Sequence, residues 1–230
     1  MHEHRFTPSD KPGYEVCECG TYHSTQLADP KKFYGSNYWT PGAGHSTLEE
    51  QIWNVANDPF DGVTKIEKIM SLMETKGSML EIGCAPGVLL SRMRRKGYDV
   101  WGIEPDPQVV KEVVDVSGCE SSRIVTGFFP DVELPDMKFD YVVAMDVLEH
   151  IEDYKVFVTA ADKLIKDGGK FICMSPIIFN GDYRERDFCA HEHAWIFSFE
   201  YITQYFLTVF KNWYFTKWQT GHEVIVGMKF

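Results

Sequence analysis

The chain has 230 residues, of which 44% are hydrophobic and 25% are charged. This composition is typical of a soluble globular protein with one sizeable core. Lys and Arg number 23 against 34 Asp and Glu, which gives a formal net charge of -11. Because that average field repels a phosphate backbone, we expect no nucleic-acid partner. Since no apolar run approaches the roughly 20 residues that span a bilayer, we also expect no membrane partner.

Cysteine usage and the first residues indicate a compartment. The six cysteines are scattered along the chain, whereas a secreted disulfide scaffold is smaller and denser in cysteine. The N-terminus is polar and carries Pro8, Asp10 and Pro12, unlike a secretory signal peptide. We therefore expect a cytoplasmic protein whose cysteines are reduced.

Residues 1–45 are rich in His, Pro, Gly, Tyr and Cys and show no sustained period, so we treat them as an N-terminal extension of a main domain over residues 46–230. Soft metal ligands occur there in two pairs, His2 with His4 and Cys17 with Cys19. One interpretation is a small zinc ribbon. The other is a loop with free cysteines, since Cys-Glu-Cys is tighter than the usual Cys-x-x-Cys spacing.

Beyond residue 45, strand and helix signals alternate. Helices are predicted over residues 46–57, 62–74, 88–96, 107–116, 153–165 and 199–207, and strands over 78–82, 98–103, 124–125, 139–145, 170–175, 213–218 and 223–229. Strands that alternate with helices of about ten residues predict βαβ units and a parallel sheet. The last two strands predict an antiparallel hairpin at the edge of the sheet.

The strongest chemical motif joins the strand over residues 78–82 to the next helix. In the segment Glu81-Ile82-Gly83-Cys84-Ala85-Pro86-Gly87, the first glycine allows a tight turn. Ala85 and Gly87 leave room for a ligand near the backbone, and the helix start offers unpaired N–H groups. Taken alone, this segment also fits an ordinary strand-to-helix turn.

An acidic residue, Glu104, follows about twenty residues later at the end of the next strand. An acid at this spacing accepts hydrogen bonds from two ribose hydroxyls in nucleotide-binding folds. The alternative is that Glu104 caps the following helix, although Asp106 already suits that role.

Four motifs now stand in order: the glycine-containing loop, Glu104-Pro105-Asp106, the segment 139–151, and the turn 166–170. Together they resemble the class I methyltransferases that use S-adenosylmethionine (SAM), over about residues 60 to 176. The resemblance implies a Rossmann-like α/β fold with a seven-stranded, mostly parallel sheet of order 3-2-1-4-5-7-6. Strand 7 would be antiparallel, and helices would cover both faces.

The resemblance also implies a set of SAM-binding residues around the carboxyl ends of the strands. They are Tyr38, Glu81, Gly83, Cys84, Ala85, Gly87, Glu104, Pro105, Gly127, Phe128, Met145 and Asp146. Tyr38 would cover the cofactor as part of an aromatic stretch, for which an aromatic plug on the surface is an equally good explanation. Sugar-modifying relatives sometimes carry a cysteine-rich zinc module at the N-terminus, which favours zinc at His4 and its neighbours.

The group that attacks the methyl is less clearly marked. His191 and His193 follow the fifth strand, where either is a candidate general base for a hydroxyl or a structural histidine. Glu149-His150 resembles a stretch of methyltransferases that act on small-molecule hydroxyls, including those of ubiquinone synthesis. In some relatives such groups bind a metal, but packing or a helix start is the favoured role here.

These patterns predict a SAM-dependent methyltransferase for a small polar acceptor, with O-methylation of a sugar hydroxyl, for instance on a nucleotide-linked sugar, as first choice. A methyltransferase for proteins and a SAM-binding domain without catalysis are the alternatives. The sequence does not set the oligomeric state.

Overall fold

The computed structural model describes residues 3–34, 38, 47–58, 62–219 and 222–229. The chain forms two compact units. We call Asp29–Val143 the motif unit, and Met1–Ala28 together with Ala144–Phe230 the terminal unit. The domain boundary predicted at residue 45 stays a prediction, because residues 39–46 lie outside the described part of the chain.

The strands, in chain order, are β1 (Phe6–Pro8), β2 (Tyr14–Cys17), β3 (Tyr22–Ser24), β4 (Ser78–Ile82), β5 (Asp99–Glu104), β6 (Ile124–Thr126), β7 (Phe139–Met145), β8 (Ile165–Ile178), β9 (Trp195–Ser198), β10 (Asn212–Gln219) and β11 (His222–Met228).

The helices are α1 (Pro30–Phe33), α2 (Leu48–Asn57), α3 (Gly62–Ser71), α4 (Val88–Arg95), α5 (Val110–Ser117), α6 (Tyr154–Lys163) and α7 (Phe199–Val209). Within the described ranges, none of them is both long enough and apolar enough to cross a bilayer.

The motif unit contains the first half of the predicted sheet. β4 pairs in parallel with β5, β5 pairs in parallel with β6, and β7 is the other neighbour of β4. This order corresponds to the predicted 3-2-1-4. All five residues of β4 are buried, as expected for a strand covered on both faces.

Local capping explains where two helices of the motif unit begin. Thr47 and Glu50 form a reciprocal capping box at the start of α2, as the sequence indicates. α5 begins at Val110, three residues after its predicted start. The delay arises because the Asp106 carboxylate accepts a hydrogen bond from the Gln108 N–H at 2.8 Å, which forms a turn before the helix.

The terminal unit contains the second half of the sheet. β11 lies antiparallel to β8, and β10 lies antiparallel to β11. This arrangement confirms the predicted order 5-7-6 with an antiparallel strand 7. The two halves together confirm the Rossmann-like α/β class.

Four strands of the terminal unit were not predicted. β9 pairs in parallel with the last residues of β8, and β3 pairs antiparallel with β9. β2 and β1 continue this antiparallel extension outward. These strands have three or four residues each, too few for an alternating pattern to be recognised in the sequence.

Stacked phenylalanines form part of the core of the terminal unit. The Phe171 ring lies 6.0 Å from the Phe206 ring and 5.9 Å from the Phe210 ring, measured between centroids. Gly227 on β11 leaves space for them, since a Cβ there would lie 2.4 Å from the Phe210 ring. The side chain of Phe210 is therefore enclosed on both the helix side and the strand side.

We expect Phe210→Ala to lower the free energy of unfolding by about 3 to 5 kcal/mol, because it leaves a cavity in a closed site. Leu207→Ala is the matched control, since Leu207 belongs to the neighbouring helix α7 but is 56% exposed. Urea unfolding followed by circular dichroism measures both. Equal losses in the two variants would contradict this description of the core.

Candidate functional site

The loop between β4 and α4 is a compact turn closed by its own backbone. The N–H groups of Gly83 and Cys84 both donate to the carbonyl of Ile103, at 2.9 and 3.0 Å. Gly83 and Gly87 have φ of 71° and 88°, in the left-handed region that favours glycine. The Gly87 N–H donates to the Cys84 carbonyl at 2.7 Å. The predicted tight turn is thus confirmed.

Protein atoms pack closely around two of the predicted cofactor residues in this loop. A Cβ on Gly87 would lie 2.9 Å from the Val113 carbonyl oxygen, so the glycine allows α5 to pack closely. The Cys84 side chain is buried, and its Sγ would lie 2.6 Å from a Cβ on Gly102. Gly83 and Ala85 are partly exposed. The cofactor contacts of all four residues stay predictions.

Glu104 holds the backbone where β4, β5 and β6 end. One carboxylate oxygen accepts from the Ala85 N–H and the other from the Asp106 N–H, both at 3.1 Å. The Gly127 N–H donates to the Glu104 carbonyl at 3.0 Å. Each carboxylate oxygen keeps a lone pair with which it can accept from a ligand hydroxyl. Glu104 therefore combines a structural role with an accepting one.

Burial shifts the ionisation of two carboxyls in this region. It raises the pKa of Glu104 to about 7, against the lowering effect of the two backbone hydrogen bonds. Burial, and then the charge of Glu104, raise the pKa of Glu81 well above its ordinary value. The Glu81 Oε2 atom has no hydrogen-bond partner among the described residues. A cationic ligand would lower the cost of ionising both groups.

The remaining predicted cofactor residues are placed as follows. Gly127 has φ of 144° and Phe128 is half-buried after β6, while Pro105 is half-buried after β5. The half-buried Tyr38 packs its ring against Phe33 and Tyr34, at centroid distances of 5.7 and 5.2 Å. Its predicted role as a cofactor cover stays a prediction.

Met145 and Asp146 belong to the terminal unit and are half-buried at the end of β7. Asp146 has φ of 54°, a left-handed conformation that is unfavourable for a residue with a side chain. Its N–H donates to the Met174 carbonyl at 2.9 Å. Such strain is often found at ligand sites. The predicted cofactor role of Asp146 stays a prediction.

The two candidate bases differ sharply. The side chain of His191 is 57% exposed, and its Nε2 lies 3.1 Å from a Glu192 carboxylate oxygen. His193 is half-buried, and its Nδ1 lies 2.6 Å from the Asp187 carbonyl. That contact assigns the proton to Nδ1, so Nε2 is the basic nitrogen. Burial, and then the neighbouring His150, lower the pKa of His193, so the imidazole is neutral at pH 7.

A cluster that the sequence only hinted at surrounds His193. The His150 ring lies 4.7 Å from the His193 ring, nearly at a right angle, and His150 Nδ1 lies 3.1 Å from the Glu192 carbonyl. Buried Glu149 accepts a hydrogen bond from the Ser175 hydroxyl at 2.8 Å. One ligand atom from each of Glu149, His150 and His193 lies within 4.8 Å of the others. This cluster is suited to proton transfer or to a divalent cation.

His150 thus has a place beside the candidate base, beyond the packing or helix-start role favoured from the sequence. Asp187, whose carbonyl orients His193, was missed because no sequence pattern marks a carbonyl acceptor. Arg184 holds the Asp187 carboxylate through two hydrogen bonds of 2.9 Å. The signal that was present in the sequence is the density of His, Glu and Asp over residues 185–193.

The N-terminal metal ligands are partly brought together. His4, Cys17 and Cys19 each place one ligand atom within 4.8 Å of the others, whereas His2 lies outside the described residues. His23, the next histidine along the chain, contacts the carboxylates of Glu15 and Glu152 at 3.1 and 3.0 Å.

Comparison with known proteins agrees with the fold and the loop. A family model described as a methyltransferase domain matches residues 4–209. A ubiquinone biosynthesis O-methyltransferase of Xanthomonas oryzae pv. oryzae is 33% identical over 158 residues, which cover 66% of this chain and 60% of that enzyme. The match thus spans less than two thirds of the relative.

Solved structures show the same fold at low sequence identity. One is a SAM-dependent methyltransferase from Thermotoga maritima, described as a possible histamine N-methyltransferase. It has a TM-score of 0.62 and 17% identity, over 79% of this chain and 95% of that one.

Another is Haemonchus contortus phosphoethanolamine N-methyltransferase 2 in complex with SAM. Its TM-score is 0.69 and its identity 13%, over 90% of this chain and 61% of that one. With the family match over most of its length, and with the loop and acid in place, the chain belongs to the class I SAM-dependent methyltransferases.

Proposed function

We propose that this protein transfers the methyl group of SAM to a hydroxyl oxygen of a small polar molecule. The observation that carries the choice of oxygen is His193, a half-buried and neutral imidazole whose Nδ1 is fixed by a backbone carbonyl. A hydroxyl must lose a proton when it is methylated, and a neutral imidazole is the side chain best suited to accept it near pH 7. The similarity to enzymes named as O-methyltransferases supports the same choice.

In the motif unit, we propose that Glu104 accepts from the two ribose hydroxyls of SAM, and that the backbone at Gly83 and Ala85 lies against the methionine part. SAM carries a sulfonium and an ammonium group, and these positive charges would stabilise the ionised forms of Glu81 and Glu104. The raised pKa of each carboxyl reflects the cost of ionising it in a buried site, and a bound cation would offset that cost. The loop is therefore suited to a cationic cofactor.

In the terminal unit, we propose that His193 Nε2 removes the acceptor's proton. The oxygen lone pair forms the new bond to the methyl carbon while the bond from carbon to sulfur breaks, and S-adenosylhomocysteine leaves. The proton goes to Nε2, and the imidazolium so formed keeps its hydrogen bond to the Asp187 carbonyl. Because Arg184 anchors Asp187, the ring is held in one orientation, which is the condition for efficient proton transfer.

A sugar hydroxyl remains our preferred acceptor, as an inference from the resemblance of the N-terminal extension. A nucleotide-linked sugar has less support, because Arg184 on the same loop is engaged by Asp187 and is not aimed at a phosphate. Methylation of a protein, and SAM binding without catalysis, are the competing functions. Screening of sugars, catechols and peptides with radiolabelled SAM distinguishes them.

The raised pKa of Glu104 predicts that cofactor binding depends on pH. Ribose hydroxyls donate to an ionised carboxylate, and Glu104 has a pKa of about 7 in the free protein. We therefore expect SAM and S-adenosylhomocysteine to bind about tenfold more weakly at pH 6 than at pH 8. Calorimetric titration across this range measures the effect.

The control for cofactor binding is a pair of variants in the motif unit. Glu104→Gln should weaken binding at pH 8 and flatten the pH dependence. Asp115→Asn, at an exposed ion pair on α5, should leave both unchanged. Since Glu81 also titrates above its ordinary range, a pH dependence that survives Glu104→Gln would move the assignment to Glu81.

Replacement of His193 tests its proposed role as the base. We expect His193→Gln to lower kcat by about 100-fold or more while SAM affinity stays unchanged, because it removes proton transfer only. Since the pKa of His193 is lowered, the wild-type rate should rise with pH and reach half of its plateau below pH 6.5, the ordinary pKa of an imidazole.

Two outcomes of that experiment would contradict the base assignment. One is a larger loss in His191→Gln, which changes the exposed neighbour, than in His193→Gln. The other would be seen in the Cys19→Ser variant. Its turnover would be lost when a chelator is added and would recover when a divalent cation is added back. That second result would assign Glu149, His150 and His193 to metal binding.

A further inference from the structure

Three soft ligands converge at the N-terminal edge of the terminal unit. His4 Nδ1 and Cys19 Sγ lie 3.6 Å apart, and Cys17 completes a group whose ligand atoms all lie within 4.8 Å of one another. Tetrahedral zinc with bonds of about 2.3 Å to sulfur and 2.05 Å to nitrogen sets neighbouring ligands about 3.6 Å apart. The observed separation of nitrogen and sulfur fits that spacing before any metal is considered.

The convergence arises at the end of a hairpin. β1 and β2 are antiparallel, with Phe6 opposite Cys17. Cys17 is the last residue of β2, whereas Glu18 and Cys19 lie in the turn that follows it. His4 lies two residues before Phe6, and its Nδ1 contacts the Cys19 Sγ at 3.6 Å. The turn therefore brings the second thiol into the same group as the first.

The hairpin turn that follows is rigid. The Cys17 N–H donates to the Thr21 carbonyl at 2.9 Å, and the Gly20 N–H donates to the Cys17 carbonyl at 2.8 Å. Gly20 has φ of 79°, which lets the chain reverse immediately after the second cysteine. The two thiols are thus presented from a fixed backbone.

Aromatic rings form a wall beside the histidine. The His4 ring lies 4.2 Å from the Tyr201 ring and 5.1 Å from the Phe6 ring, measured between centroids. Trp195 lies 5.7 Å away on β9. These contacts fix the plane of the imidazole and exclude water from one side of the group.

We propose that His4, Cys17 and Cys19 bind a structural zinc ion that fastens the N-terminal segment to the turn between β2 and β3. Two thiolates and a neutral imidazole are preferred zinc ligands, and their charge balances that of the ion in a partly buried site. They leave one of the four tetrahedral positions to a further ligand. A hydrogen bond between Cys19 and His4 accounts for the proximity of those two side chains. A metal ion accounts for the convergence of all three ligand atoms, including that of Cys17.

The site has a structural purpose that does not depend on methyl transfer. β1, β2 and β3 contain three, four and three residues, and strands this short are marginal without an additional constraint. A zinc ion at their end ties His4 to β2 and so fixes the first strand of the extension. Its loss should weaken the extension first, whatever the acceptor of the enzyme is.

The test is elemental analysis of the full chain, expressed without an affinity tag of histidines in zinc-supplemented medium. We expect about one zinc ion per chain in the wild type. Cys19→Ser and His4→Gln should each lower zinc content at least about tenfold. Cys189→Ser is the matched control, because Cys189, His191 and Glu192 form the other group of cysteine and histidine ligands in this unit, and it should keep its zinc.

A second measurement on the wild type does not depend on the variants folding. Zinc is removed with a chelator and replaced by cobalt(II), whose absorption reports thiolate ligands in a tetrahedral site. The proposal predicts those bands, and a lower Tm for the metal-free protein. Folded wild type that takes up neither metal, or zinc that is lost in Cys189→Ser and kept in Cys19→Ser, would overturn it.

Discussion

A buried carboxylate, that of Glu104, is the constraint on which the motif unit depends. At 4% exposure it would be costly to ionise without partners, and the N–H groups of Ala85 and Asp106 supply two. Those bonds fix the loop after β4 and the turn before α5, and the Glu104 carbonyl fixes Gly127 after β6. Yet the pKa of about 7 shows that two amides do not fully compensate for burial. A ligand that carries positive charge and donates hydrogen bonds from hydroxyl groups would offset the remaining cost of ionising Glu104.

The terminal unit solves a related problem through one residue, Asp187. Its carboxylate is bonded to Arg184, and its carbonyl receives the Nδ1 proton of His193. An exposed loop would give an imidazole many orientations, whereas here the carboxylate and the carbonyl of Asp187 are both held by hydrogen bonds. The ring is therefore oriented by the backbone. Burial lowers the pKa of His193 more than the nearby carboxylates of Glu149 and Glu192 raise it, which keeps the imidazole neutral and able to accept a proton.

Much of this molecule was predictable from sequence, for physical reasons that differ between residues. Gly83 and Glu104 were identified because a tight turn and an acid after the next strand form a pattern of residue types. Gly87 has a packing reason that the sequence could not show, since a Cβ there would meet the carbonyl of Val113, which lies 26 positions away in sequence. His191 and His193 could not be separated, because burial and a carbonyl partner are properties of the fold. β9 and the three strands that extend from it were missed because segments of three or four residues carry no measurable period.

For the N-terminal ligands, the residue types and the spacing pointed to different interpretations. Their chemistry was readable, but Cys-x-Cys argued against the familiar ribbon because the usual Cys-x-x-Cys turns back on itself. Once β1 and β2 are known to pair with Phe6 opposite Cys17, the shorter spacing is no longer an obstacle. Cys17 ends its strand and Cys19 lies in the turn that follows, so the turn itself brings the second thiol toward His4. The spacing that weakened the zinc interpretation in a loop is therefore compatible with it at the end of a hairpin, where one ligand atom from each of His4, Cys17 and Cys19 lies within 4.8 Å of the others.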